Sequence, residues 1–227
     1  MKLSKLRERY EADPRPKKLR FFRELKPQTQ ESVIAEECER GERFDWDDAA
    51  ILTEDFKTQL AERGFPETKV FWSLGYCQGD GVAFYGSVYP QDLKEKDPQA
   101  RKLIEVLEKS GDNFNISISG ENNHYHHWNS MTVEVEFESD EDEDLPPRLR
   151  IARPVLREQF EEYLAEKVME ISRELEKCGY AEIEYRTSES AIREDLSERD
   201  HLYTRNGELV LREYEFYEWL KNRSEFD

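Results

Sequence analysis

Three short stretches hold the residue types that could do chemistry. Gln78-Gly79-Asp80-Gly81 sets a carboxylate between two glycines. There Asp80 can serve as a catalytic acid or base or as a metal ligand. The same residues also make a tight turn, in which glycines supply positive φ and Asp80 hydrogen-bonds its own backbone. The turn composition favours that second role. Residues 121–130, ENNHYHHWNS, gather three of the four histidines. In an extended chain His124 and His126 face the same way, a spacing that can chelate Zn²⁺ or Fe²⁺, with Asp80 or Glu121 as a third ligand. Alternatively His126, His127 and Trp128 form a polar, aromatic surface patch. Cys77 lies at the same turn with no evident partner, so a thiol without a catalytic role is expected.

The familiar catalytic signatures are missing. The glycines do not form a GxGxxG phosphate cradle, and no Walker lysine follows them. There is no HExxH, no zinc-deaminase pattern, no paired cysteines and no GxSxG elbow. The sequence indicates no cofactor and leans away from an enzyme.

Charge narrows the partners. The 227 residues carry 34 basic and 52 acidic side chains, a formal net charge of −18. Residues 1–26 hold ten basic and four acidic groups, so the surplus of six positive charges leaves −24 on residues 27–227. Such a body repels phosphate backbones and is steered to basic surfaces. The expected partner is therefore a basic protein, with nucleic acid touched only through the basic arm 1–26. Carboxylates spaced like phosphates would make the chain a nucleic-acid mimic, a variant of the same reading. Acidic charge also keeps a protein soluble without any partner.

No run approaches the length of a membrane span, and the first residues, MKLSKLRERYEADPRPKK, lack an apolar export segment. Three cysteines, Cys38, Cys77 and Cys178, build no disulfide framework. The expected location is the bacterial cytoplasm, with no membrane contact.

The elements that must position these residues follow from periodicity. Residues 47–63 place Ile51, Leu52, Phe56 and Leu60 at helical spacing, ending at Gly64. Residues 69–76 and 82–88 are aromatic and β-branched around the two-glycine turn, a hairpin signal. Asp97 and Pro98 start a helix that runs to Ser110. Residues 114–119 and 131–138 alternate apolar with polar, the second carrying Glu134, Glu136 and Glu138 on one face. Phe160, Tyr163, Leu164, Val168, Ile171 and Leu175 mark a helix of five or six turns ending near Gly179. A short helix from Thr187 or Ser188 and a hairpin around Asn206-Gly207 come next. The predicted fold is α+β: a small antiparallel sheet with helices on one face and a helical C-terminal extension. The predicted organisation is a basic arm 1–26, a single domain 27–212 with an acidic loop 138–147, and an aromatic, acidic tail 213–227 that docks or waits for a partner.

Phe71-Trp72-Ser73, Tyr76, Gln78-Gly79-Asp80-Gly81, Phe84 and Gly86 together resemble a family of small, mostly uncharacterised phage and prophage proteins. Their hairpin reads [F/W]-S-x-x-Y-x-Q-G-D-G-[A/V]-x-F-x-G, preceded by a tryptophan at a helix start, here Trp46. Gly120, HYHH and Met131-Thr132-Val133-Glu134 are similar to a second block of that family. Leu175-Glu176, Tyr185, Ser188-Glu189, Glu194 and Tyr203 before Gly207 resemble a third. The resemblance implies a phage setting and an antitoxin-like role, and it brings no catalytic residues with it. The resulting expectation is a non-enzymatic phage or prophage accessory protein that binds and neutralises a host or defence protein. Its contact strip would comprise Trp72, Tyr76, Gln78, Asp80, His126 and Trp128. The alternative is a metal-dependent hydrolase or nuclease using Asp80, His124 and His126.

Overall fold

A computed structural model describes residues 19–40, 46–120, 125–139 and 146–223. In chain order the elements are β1 (Arg20–Phe21), a 3-10 turn (Phe22–Glu24), α1 (Pro27–Arg40), α2 (Trp46–Glu62), β2 (Lys69–Ser73), β3 (Gly81–Val88), α3 (Pro90–Lys96) and α4 (Pro98–Lys109). They continue with β4 (Asp112–Gly120), a 3-10 turn (Trp128–Ser130), β5 (Met131–Ser139), α5 (Pro147–Arg186), α6 (Glu189–Glu198), β6 (Leu202–Tyr203), β7 (Leu209–Leu211) and α7 (Glu213–Arg223). The chain divides into two compact units, Trp46–Glu182 and the segments Met1–Asp45 with Ile183–Asp227. The boundaries expected from the sequence lie elsewhere, after residues 26 and 212.

In the unit Trp46–Glu182, β2-β3-β4-β5 form one antiparallel sheet in that order. The pairings Val70↔Phe84 and Trp72↔Val82, then Val88↔Ile116, Ile118↔Val133 and Phe114↔Phe137, put the apolar side chains on one face. Helices cover that face. Phe65 packs edge-on against Phe84 with ring centres 5.6 Å apart, and Phe160 of α5 meets Phe114 at 5.2 Å. Burying each such ring contributes about 1.5–3 kcal/mol. This is the expected α+β arrangement.

The helices are set by local signals. Asp97 caps α4 by accepting the N–H groups of Gln99 and Ala100 at 2.8 and 3.0 Å. Tyr163 of α5 donates its hydroxyl to the same carboxylate. Burial alone would push the Asp97 pKa up, but these donors and Lys167 hold it below the usual aspartate value. In α2, Leu52, Phe56 and Leu60 are buried as their spacing predicts, whereas Ile51 is 55% exposed. One hundred degrees per residue carries it off the apolar stripe.

The long helix departs from expectation at both ends. It begins at Pro147 rather than near Phe160, and it continues to Arg186, past Gly179. Pro147 occupies a first-turn position where no N–H is needed. Pro154 is exposed within the helix and removes a single backbone hydrogen bond. Gly179 is not a stop. A Cβ there would overlap Leu74 Cδ1 and sit 2.9 Å from Phe56 Cζ, so glycine lets α5 approach the sheet and α2. Ser172, on the same buried stripe, donates to the Val82 carbonyl at 2.5 Å.

Near its start, α5 is anchored through a buried charge cluster. The Asp112 side chain, fully buried, accepts Arg157 Nη2 at 2.5 Å and lies 3.5 Å from Arg153 Nε. Arg153 also donates to the Ser110 carbonyl, and Ser110 Oγ lies 3.4 Å from Asp112 Oδ2. The Arg157 guanidinium stacks 4.8 Å from the Phe137 ring centre.

In the other unit, β1, β6 and β7 make a small antiparallel sheet in the order β1-β6-β7. Phe22, Leu25, Val33, Ile34, Ile192, Leu196 and Tyr203 form its core. Ser188 caps α6 by accepting the Ala191 N–H at 3.2 Å, as expected. One expectation changes here, and of the two alternatives for the tail one is found. Residues 19–26 are not part of a free arm: Phe21, Phe22 and Leu25 are buried, and Arg23 pairs with Asp200 at 3.0 Å. The tail docks, because Phe216 of α7 is buried edge-on against Phe21, with centroids 6.2 Å apart. Arm residues 1–18 and tail residues 224–227 lie outside the described residues, as do positions 140–145 of the acidic loop.

Candidate protein-binding surface

The β2–β3 hairpin is built around Asp80. Its Oδ2 accepts the N–H of Gly75 at 2.6 Å and of Cys77 at 2.7 Å, and the Tyr180 hydroxyl approaches at 3.4 Å. Its Oδ1 accepts Ser73 Oγ at 2.7 Å. Partial burial alone would raise the Asp80 pKa. The Cys77 N–H, the Ser73 hydroxyl, the Gly75 N–H and Tyr180 outweigh it, so the carboxyl sits below the ordinary aspartate value. Both oxygens are turned into the loop. This is the structural role that the turn composition favours.

The strand ends at Ser73 rather than at Tyr76, because residues 74–80 wrap around that carboxylate. Tyr76 has φ +58°, a left-handed conformation uncommon for a tyrosine. Its side chain is 75% exposed, and its ring lies on Tyr180, with centroids 4.7 Å apart. Burial and the nearby Asp80 charge raise the Tyr180 pKa above the ordinary tyrosine value, a Tyr76 backbone hydrogen bond opposing them.

The histidine segment packs against this hairpin. The His126 N–H donates to the Gly79 carbonyl at 3.3 Å, and the Tyr125 ring lies over Gly79. Gly79 and Gly81 have φ +93° and +150°. A Cβ on Gly81 would come within 2.7 Å of the His126 carbonyl oxygen. Both glycines therefore serve a close approach as well as a turn. His126 stacks on Phe71 at 5.7 Å, and burial lowers its pKa below the ordinary histidine value. His127 Nδ1 accepts the Asn129 N–H at 3.1 Å, capping the short turn that carries Trp128.

The proposed six-residue strip is thus divided. Trp72 points to the helix-covered face, donating its indole N–H to Thr53 Oγ1 at 2.9 Å and meeting Phe56 edge-on. Phe71, the next residue along, faces the opposite side with Tyr85 and His126. Trp128 is half-buried with the Arg173 guanidinium 4.1 Å above its ring. Tyr76 and Gln78 are exposed at the tip, while Asp80 is bound into the loop. Alternation along β2 separates Trp72 from Phe71, and that signal was present in the sequence. Tyr180 and Arg173, seven residues apart on α5, carried no such signal.

The metal arrangement is not assembled among the described residues. No three His, Cys, Asp or Glu side chains come together there as a ligand set. His124 and Glu121 lie outside the described residues. Cys77 is exposed, with Sγ 3.5 Å from the Gly75 carbonyl.

The sheet face away from the helices is aromatic at β2 and β3, around Phe71 and Tyr85, and polar along β4 and β5. Glu134, Glu136 and Glu138 of β5 are exposed and stand opposite Ser117, Asn115 and Asn113 of β4. Three carboxylates in a row on a four-stranded sheet make a surface suited to cations.

The class defined by this unit is α+β, an antiparallel sheet with helices on one face and exposed carboxylates along β5 on the other. Residues 46–191 match the family described as Domain of unknown function (DUF8835), and the chain belongs to that family. The match begins at Trp46, where the compact unit holding the hairpin also begins. No curated protein and no solved structure matches the chain. Among the described residues no helix is long and apolar enough to cross a membrane.

Proposed function

We propose that this protein binds and neutralises a basic protein, acting without chemistry of its own. The observation that carries this reading is the open sheet face lined by Glu134, Glu136 and Glu138, in a chain of formal charge −18. Acidic surfaces accelerate encounter with basic partners and reject other acidic ones. Asp80 supports the reading indirectly, since its carboxylate is used by the hairpin and is not offered to a substrate. The resemblance to phage and prophage proteins suggests the target class: a host or defence protein with a basic surface, such as a nucleic-acid enzyme, in antitoxin-like or anti-defence fashion.

The test is an affinity pull-down of the tagged chain from nuclease-treated bacterial lysate, followed by mass spectrometry and metal analysis. A stoichiometric basic protein, released by salt and captured without nucleic acid, is the expected result. Recovery of nucleic acid alone, or of a metal-loaded protein with phosphodiesterase activity, would overturn the reading.

A further inference from the structure

We infer that β5 is a docking edge that takes an extended segment of the basic partner as a fifth strand. The inference rests on the binding reading above and specifies the surface and the form of the ligand. Three independent features of β5 converge on it.

The first is backbone. β5 stands at the end of the order β2-β3-β4-β5 and spans nine residues, Met131–Ser139. All nine pair with β4 on one side. Among the described residues, no backbone hydrogen bond from any other element reaches the other side. Alternate N–H and C=O groups along that edge therefore point outward, a template for another strand. An edge this long is usually shortened, bulged or covered.

The second is the half-covered apolar row. On the helix-covered face Phe114, Ile116 and Ile118 of β4 are at most 9% exposed. Their direct partners Phe137, Val135 and Val133 are only half-buried. The apolar face thus runs out at β5 with its last row unfinished. One more strand would complete it.

The third is charge. Glu134, Glu136 and Glu138 occupy the alternate positions, on the opposite face. A strand added here places its own side chains directly across from these carboxylates, where opposite charges stabilise and like charges destabilise. A second copy of this chain is disfavoured. Antiparallel pairing of β5 with itself about Val135 sets Glu134 against Glu136 twice. The ligand that fits all three features is an extended segment with basic residues at every second position and apolar residues between them.

The experiment uses the full chain and a labelled short peptide alternating lysine and valine, with an alternating glutamate and valine peptide as control. Fluorescence anisotropy measures affinity, and amide hydrogen exchange by mass spectrometry locates the contact. The expected result is binding of the lysine peptide only, with slowed exchange within residues 131–139. Combined Glu134→Gln, Glu136→Gln and Glu138→Gln substitution, which alters only exposed side chains, should weaken binding about tenfold. Absent binding, binding without protection of residues 131–139, equal affinity for the substituted chain, or dimerisation of the wild-type chain through β5 would each overturn the inference. In the lysate experiment, a partner captured equally by the substituted and wild-type chains keeps the neutraliser reading and removes the edge. Peptide docking on β5 with no cellular protein partner does the reverse.

Discussion

The Tyr125 ring occupies the space where a Cβ of Gly79 would stand, so the histidine segment and the Asp80 hairpin are fitted to each other through a missing side chain. Substituting Gly79→Ala adds that overlap to a φ of +93°. The expected loss is about 1–3 kcal/mol of unfolding free energy, read by chemical denaturation. Unchanged stability would mean that Tyr125 moves aside freely.

Asp80→Ala leaves the N–H groups of Gly75 and Cys77 without their acceptor. Because water reaches this loop, the expected cost is about 1 kcal/mol, with faster amide exchange confined to residues 74–80. The pH dependence has a definite sign. The folded carboxyl titrates below the ordinary aspartate value. Its contribution is therefore complete above that value and is lost as pH falls through the folded pKa. Asp80→Ala should flatten that part of the acid-unfolding curve.

Asp112 holds two guanidinium groups in a site where its own side chain is fully buried. Asp112→Ala strands Arg153, itself 4% exposed, beside a missing counter-charge. A loss of about 3–5 kcal/mol follows from an uncompensated buried charge. A double substitution that also replaces Arg153 with leucine should recover part of it. If the single and double variants unfold alike, the pair is not coupled.

His201 Nδ1 accepts the Glu213 N–H at 2.9 Å, at the first turn of α7. Only the neutral ring can do this. Burial, then the nearby Arg199, pull its pKa below 6.5, against opposing pulls from Glu213 and Asp195. The stabilisation is complete above 6.5 and declines as pH falls through the lowered folded value. Amide exchange at residues 213–217, corrected for intrinsic rate, should rise on acidification from pH 7 to about 5. His201→Gln should keep the acceptor and abolish the pH response.

If the Asp80 carboxylate is wholly committed to the hairpin, metal ions have no hold on it. The melting temperature should be the same with chelator, with added Zn²⁺ and with added Mn²⁺. A chelator-dependent drop would return Asp80, His124 and His126 to consideration as ligands.

The sheet was legible because β4 and β5 alternate cleanly, while β2 and β3 are aromatic and β-branched around a turn with two glycines. The cap at Asp97 was legible for the same local reason. What failed was punctuation. Pro147, Pro154 and Gly179 look like breakers, yet one sits in a first turn, one sacrifices a single hydrogen bond on an exposed side, and one fits beneath Leu74 and Phe56. Only tertiary packing distinguishes a glycine that stops a helix from one that lets it close in. The two-residue strand β1 is too short to show any period, so its residues passed for part of an arm. At the site, Asp80 was correctly weighed as a turn residue, while the aromatic strip was drawn without sorting Trp72 and Phe71 to opposite faces. The open edge of β5 depends on strand order, which no local pattern contains.

The pairing of β1 with β6, Arg20 against Tyr203, also bears on synthesis at the ribosome. The four-stranded sheet joins strands that are neighbours along the chain, so it can assemble as soon as residues up to β5 and the helix α5 have emerged. The unit containing β1 must wait, because its first strand has no partner until Leu202 and Tyr203 are made. During that interval Phe21, Phe22 and Leu25 remain uncovered on the nascent chain. Translation pauses between residues 140 and 200 would lengthen their exposure, and a chaperone-binding window should open there and close on release.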